Sequence, residues 1–156
     1  MLYGYQIVDA LKNVYMIRKL TVNLCSYDDE IVIPKKLPAL YIINSDPSGV
    51  SETEHWFAVF VGQDKNVSYF DSFGIILNPV FTKINRWRGE FGEMVYNKKL
   101  IQNPFSNFCG VYCVCFGYWM TCGYGFGNFL DLFTHNLKSN DKLIEEFFSI
   151  LIDNGN

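Results

Sequence analysis

Charge is scarce in this sequence. Only 19% of its 156 residues are Asp, Glu, Lys or Arg, and the formal net charge is −3. That balance excludes the electrostatic grip on nucleic acid or anionic membrane that clustered Lys and Arg provide. From Leu100 to Leu130 there is no charged residue at all. A membrane span needs about 20 apolar residues, but this run is interrupted by Gln102, Asn103, Ser106, Asn107, Thr121, Asn128 and five glycines. Its apolar part, Phe108 to Met120, is too short to span and predicts a central helix buried on all sides. No basic region precedes an apolar run near the start, so no secretory signal is expected. Internal repeats and low-complexity linkers are also lacking, which predicts a single domain over residues 1–156. Disorder is excluded by an apolar content of 49% and an aromatic content of 17%.

Cysteine is present in an odd number, five, and four of them (Cys109, Cys113, Cys115, Cys122) crowd one short stretch. A secreted disulfide framework spreads and pairs its cysteines. The clustering points instead to a reducing compartment. The spacing C-x3-C-x-C-x6-C lacks the C-x2-C knuckles of structural zinc sites, so neither a metal nor another cofactor is expected.

The pattern along the chain predicts an α+β fold. Ile7, Val8, Leu11, Val14 and Tyr15 recur at helical spacing, which predicts a helix over 5–17. Residues 18–38, broken by Pro34 and Pro38, read as irregular. "LYIIN" (40–44) reads as a strand running into the turn "SDPSG". "HWFAVFVG" and "VSYFDSFG", separated by "QDKN", read as a hairpin. Pro79 opens a short helix through Trp87, and "EMVYN" (93–97) suits another strand. The central helix runs from Cys109 to Met120, with Pro104, Ser106 and Asn107 as cap-like residues and Gly123, Gly125 and Gly127 beyond its end. An amphipathic helix over Asp141–Ile152, capped by Ser139 or Asn140, closes the chain.

A nucleophilic thiol needs a base, and the chain has only two histidines, His55 and His135. His135 lies in the loop-like "FTHNLKSN". His55 opens a strand, and Asp71 stands at the far end of its hairpin partner. Antiparallel strands joined by a short loop place those ends side by side, as orienting an imidazole by a carboxylate requires. Cys109 is the cysteine at the start of the central helix, where free N–H groups favour thiolate over thiol. Cys113 and Cys115 lie deeper in apolar surroundings. Gln102 offers an uncharged amide donor able to face an oxyanion. Taken singly, each residue is more often structural than catalytic.

Together, His55-Trp56, the acidic residue of "YFDSFG" and Gln-x6-Cys-Gly-x-x-Cys resemble the adenain family, the adenovirus maturation protease and its relatives in virophages and Polinton-type elements. The Ulp-type SUMO proteases are more distant cousins. The resemblance covers about residues 40 to 120, and "YNKKLIQNPFSNFCGVYC" is its most specific part. It implies Cys109 as nucleophile, His55 as general base, and Asp71 (Glu in the adenovirus enzymes) as the residue orienting His55. Gln102 and the Cys109 backbone N–H would form the oxyanion hole, with Trp56 beside the histidine at the substrate cleft. It also implies a papain-like fold, with a small mixed or antiparallel sheet packed against the helix that carries the nucleophile.

The activity so implied is that of a cysteine endopeptidase cutting capsid or core protein precursors during virion maturation. Its location would be the virion or the host cytoplasm or nucleus. The alternative is an isopeptidase acting on ubiquitin-like modifiers, since the same residues in the same order serve both. A third reading is a catalytically dead binding module. Adenain has a basic surface and uses DNA and a basic peptide as activators; the acidic balance here leaves DNA and membrane out of the expected partners, with an activating peptide undetermined.

Overall fold

A computed structural model describes residues 4–14, 21–47 and 55–154. Its centre is a five-stranded mixed sheet, β1 (Thr21–Ser26), β2 (Ala39–Asn44), β3 (Trp56–Val61), β4 (Val67–Phe70) and β5 (Met94–Tyr96), in the order β1-β2-β3-β4-β5. The outer pairs β1–β2 and β4–β5 are parallel, whereas β2–β3 and β3–β4 are antiparallel. The hairpin expected around "QDKN" is present. It is closed by Gly62 N–H to Asn66 O (3.0 Å) and Lys65 N–H to Gly62 O (3.0 Å), with Lys65 in the left-handed region at φ 65°.

Every residue of β2, β3 and β4 is buried, because successive side chains point to opposite faces and both faces are covered. On one face Leu40, Ile42, Trp56, Ala58, Phe60 and Phe70 share a core with the helices α1 (Gly4–Asn13), α3 (Cys109–Thr121), α4 (Phe126–Leu130) and α5 (Leu137–Asn154). On the other, Tyr41, Ile43, Phe57, Val59 and Tyr69 pack against Val80, Ile84 and Trp87. Those three come from α2 (Asn78–Asn85) and the 3-10 turn that follows it. Pro79 lies in the first turn of α2, where its missing N–H has no intrahelical partner to lose.

The central helix is as the charge-free run predicts: all nine residues from Cys109 to Gly117 are buried. Gly117 sits where an added Cβ would come within 2.5 Å of Leu40 Cδ2, so the helix lies close against β2. Its C-terminus closes in a Schellman arrangement, Tyr124 N–H to Trp119 O (3.4 Å) and Gly123 N–H to Met120 O (3.0 Å), with Gly123 at φ +79°. Among the described residues no helix is long and apolar enough to cross a membrane.

Several expectations need correction. Residues 18–38 are not irregular throughout, since Thr21–Ser26 forms β1; its half-exposed pattern carries no clean alternation, and pairing with β2 creates the strand. The first helix ends at Asn13; Tyr15, and with it the predicted end at residue 17, lies outside the described residues. The short α4 follows Gly125 where only a glycine-rich end was expected. The last helix starts at Leu137, and Asn136, not Ser139 or Asn140, caps it by accepting the Ser139 N–H at 3.1 Å. Phe108 occupies the N-cap of α3, and no side chain caps that end. Ser106 instead closes a turn of its own, N–H to Asn103 O at 2.9 Å.

Candidate active site

The hairpin delivers two of the predicted residues together. His55 stands just before β3 and Asp71 just after β4, and the β3–β4 register pairs Ala58 with Phe70. Their side chains meet: His55 Nε2 lies 3.0 and 3.1 Å from the two carboxylate oxygens of Asp71. The Phe73 ring stacks on the imidazole at 4.6 Å between centroids and 17° between planes. Asp71 is held in turn. One carboxylate oxygen accepts the Phe73 N–H at 2.7 Å, and the Asn97 side chain bonds the Asp71 backbone.

Aromatic packing brings α3 to the same place. Phe70, the residue before Asp71, stacks on Phe116 of α3 (5.0 Å, 17°), and Phe129 of α4 meets both rings edge-on or nearly so. Truncating a core phenylalanine costs about 3–5 kcal/mol, so these rings set firmly where the helix begins relative to the hairpin. At that beginning sits Cys109, 5% exposed. Its thiol lies near enough to His55 to act on the imidazole's charge. Burial by itself pushes His55 down, but the hydrogen bond to Asp71, the contact with Cys109 and the attraction of the carboxylate outweigh it, and the pKa rises to about 9. The imidazole is therefore protonated at neutral pH, with Nε2–H donating to Asp71. With Nε2 taken by Asp71, the buried Nδ1, which meets no hydrogen-bond partner among the described residues, is the nitrogen left to exchange a proton with the thiol or with a substrate.

No disulfide joins the five cysteines. Burial pushes the Cys113 and Cys115 thiols well above their ordinary range, which leaves them as core residues. His135 is exposed in the loop before α5 and is no part of this cluster.

Gln102 is fully buried. Its Oε1 accepts the Ser72 hydroxyl at 2.6 Å, and its Nε2 donates to Ser106 O at 2.9 Å and to Ser106 Oγ at 3.2 Å. The flanking backbone is anchored by α5: Asn140 Nδ2 donates to Ile101 O (3.0 Å), and Asp141 Oδ1 accepts the Asn103 N–H (3.3 Å) and the Tyr112 hydroxyl (3.0 Å). Trp56 is 4% exposed and belongs to the core under α3, with no acceptor for its indole N–H among the described residues.

Ser72, Phe73, Asn97, Asn140 and Asp141 are the site's supporting residues that the sequence reading does not single out. Ser72 and Phe73 directly follow Asp71 in "YFDSFG", and Asn97 ends "EMVYN". Polar or aromatic residues next to a motif carry no mark of which atoms they meet.

No protein-family model matches the chain, and no curated protein sequence matches it significantly. Among solved structures, ChlaDub1 from Chlamydia trachomatis superposes with a TM-score of 0.55 at 13% identity, over 93% of this chain and 75% of that one. The central domain of the Lpg1148 protein from Legionella pneumophila aligns over 85% and 89% at the same 13% identity, with a TM-score of 0.45, too low to decide anything. The likeness to ChlaDub1 is one of fold: the mixed sheet with helices packed on it is shared.

Proposed function

We propose that the chain is a cysteine hydrolase of amide bonds, with Cys109, His55 and Asp71 as its catalytic residues. One observation carries this reading: a buried imidazole bonded through Nε2 to Asp71, raised to about 9, and facing the Cys109 thiol at a helix start. The mechanism uses Cys109 as a thiolate paired with the His55 imidazolium. The thiolate attacks the scissile carbonyl carbon, a C–S bond forms and the carbonyl oxygen takes the negative charge. Collapse breaks the C–N bond while His55 gives its Nδ1 proton to the leaving nitrogen. Water then attacks the thioester, His55 takes a proton from it, and the thiolate is released.

Gln102 and the Cys109 backbone N–H stabilise the oxyanion. Both Nε2 contacts of Gln102 go to Ser106, so the longer one, to Ser106 Oγ, gives way when the oxyanion forms. Ser106 is half-buried and its hydroxyl also donates to Asn103 O (2.9 Å), so it loses only an acceptor role. Trp56 follows His55 in the chain and, at 4% exposure, backs the site from the core.

The substrate reading favoured is deconjugation or processing of ubiquitin-like modifiers, in the manner of Ulp-type enzymes. Its support is the shared fold with ChlaDub1, whose name designates a deubiquitinase. The second reading, cleavage of capsid or core precursors, rests on the adenain-like "HW…D…Q…CG" segment. Ubiquitin and SUMO C-terminal aminomethylcoumarin fusions, run beside an unbiased peptide library with Cys109→Ala as control, separate the two. Release from the fusions alone supports deconjugation, cleavage of library peptides alone supports the endopeptidase, and no Cys109-dependent release from either overturns the hydrolase.

A further inference from the structure

We propose that Ser72 is a positioning residue for Gln102, so that one turn, Asp71–Gly74, sets both the base and the oxyanion side of the site. This inference rests on the hydrolase reading above. The turn is closed by Gly74 N–H to Asp71 O at 2.8 Å. Gly74 has φ +70°, and a Cβ there would lie 2.7 Å from Lys98 O, so only glycine lets the turn press against the segment that runs from β5 to Gln102. Within the turn, Asp71 and Phe73 hold the imidazole from its edge and its face.

Ser72, between them, points the other way and grips Gln102 at both ends. Its carbonyl accepts the Ile101 and Gln102 N–H groups at 2.9 and 3.0 Å, and its hydroxyl donates to Oε1 at 2.6 Å. Ser72 and Gln102 are 1% and 0% exposed, so no water can take the hydroxyl's place without rearrangement. The remaining amide contacts go to Ser106 on a half-exposed loop. When one of these yields to the oxyanion, the Ser72 bond still holds the carbonyl end of the amide. A donor on the carbonyl also polarises the amide and strengthens its N–H as a donor. Ser72 touches neither thiol nor imidazole; it acts through Gln102.

The test is a double-mutant cycle on a substrate that the parent cleaves, with thermal unfolding of each variant as the folding control. Removing an oxyanion-hole donor lowers kcat by about 10²–10³, and Gln102→Ala is expected in that range. Ser72→Ala is expected to lower kcat by about tenfold or more with KM nearly unchanged, and Ser72→Thr, which keeps the hydroxyl, to recover most of it. In the double variant the loss should equal that of Gln102→Ala alone, because a residue acting through another has nothing left to act on. If Ser72→Ala does not fold, Ser72→Cys, nearly isosteric and a weaker donor, is expected to give the same pattern with a smaller loss. Parent-like kcat in Ser72→Ala, or losses that multiply in the double variant, overturn the inference while leaving the hydrolase intact. Absence of any Cys109-dependent hydrolysis in the parent overturns the hydrolase reading and this inference with it.

Discussion

Asn97 clamps the backbone of Asp71 from both sides. Its Oδ1 accepts the Asp71 N–H at 3.0 Å and its Nδ2 donates to the Asp71 carbonyl at 2.6 Å, all within buried surroundings. β4 ends at Phe70 and its ladder to β5 stops at Tyr69–Tyr96, so Asp71 lies beyond the last paired residue. A side-chain amide replaces the missing strand partner there, leaving the carboxylate free to turn toward His55.

Asn97→Ala therefore leaves a buried N–H without its acceptor and takes one of the two donors from a buried carbonyl. At about 1–3 kcal/mol for a buried group left unsatisfied, the variant should lose roughly that much unfolding free energy. Chemical denaturation measures this, and a loss below about 0.5 kcal/mol would remove the clamp from the account.

The cysteines should separate by position along one helix. Cys109→Ala is expected to be folded and inactive. Cys113→Ala should retain activity and lose about 1 kcal/mol of stability, the scale of a small buried side chain. Proteolysis assays paired with melting curves decide it; a fully active Cys109→Ala ends the nucleophile assignment.

Thiol labelling should report the His55 contact. At pH 6 iodoacetamide is expected to modify Cys109 ahead of Cys113 and Cys115, which burial holds as thiols, and ahead of Cys25, pushed up to about 11 chiefly by burial. His55→Ala should abolish the preference. Mass spectrometry of partially labelled protein gives the order directly, and uniform labelling in the parent would exclude an ion pair.

The same imidazole makes stability depend on pH with a defined sign. The folded pKa of His55 is about 9, above the ordinary value of 6.5. Its contribution is fully present below about pH 6.5 and is lost as pH rises through 9. Parent stability should fall by on the order of 3 kcal/mol across that window, whereas Asp71→Asn should flatten the curve. A parent curve that rises from pH 6.5 to 9 would contradict the bonding seen at Nε2.

Substrate choice is expected to follow from the burial of Cys109. Cleavage should occur after a small residue, glycine foremost, in an extended segment with an aliphatic side chain a few positions upstream. Duplex DNA should not stimulate the reaction at physiological salt, because a chain with 16 acidic and 13 basic residues offers little for phosphate. Cuts mainly after bulky or charged residues would refute the first expectation, and a large, salt-sensitive stimulation by DNA the second.

What the sequence determined by itself is what local pattern can encode. The two strand-like runs around "QDKN" specify a hairpin, and a hairpin's ends are adjacent by geometry, so His55 and Asp71 could be paired from spacing alone. A run without charge from Leu100 to Leu130 specifies a helix with no solvent face, and Cys109 at its start follows from the polar residues before it. Tertiary structure alone decided the rest, because those elements depend on partners distant in the chain. Thr21–Ser26 is a strand only because β2 lies beside it. Asn140, which reads as a helix cap, spends its amide on Ile101 and Thr134 instead. Ser72 and Gln102, 30 residues apart, meet only because Gly74 admits the close approach of two backbones. A hydrogen bond between buried side chains depends on packing to a fraction of an ångström, and no periodicity in the sequence records that.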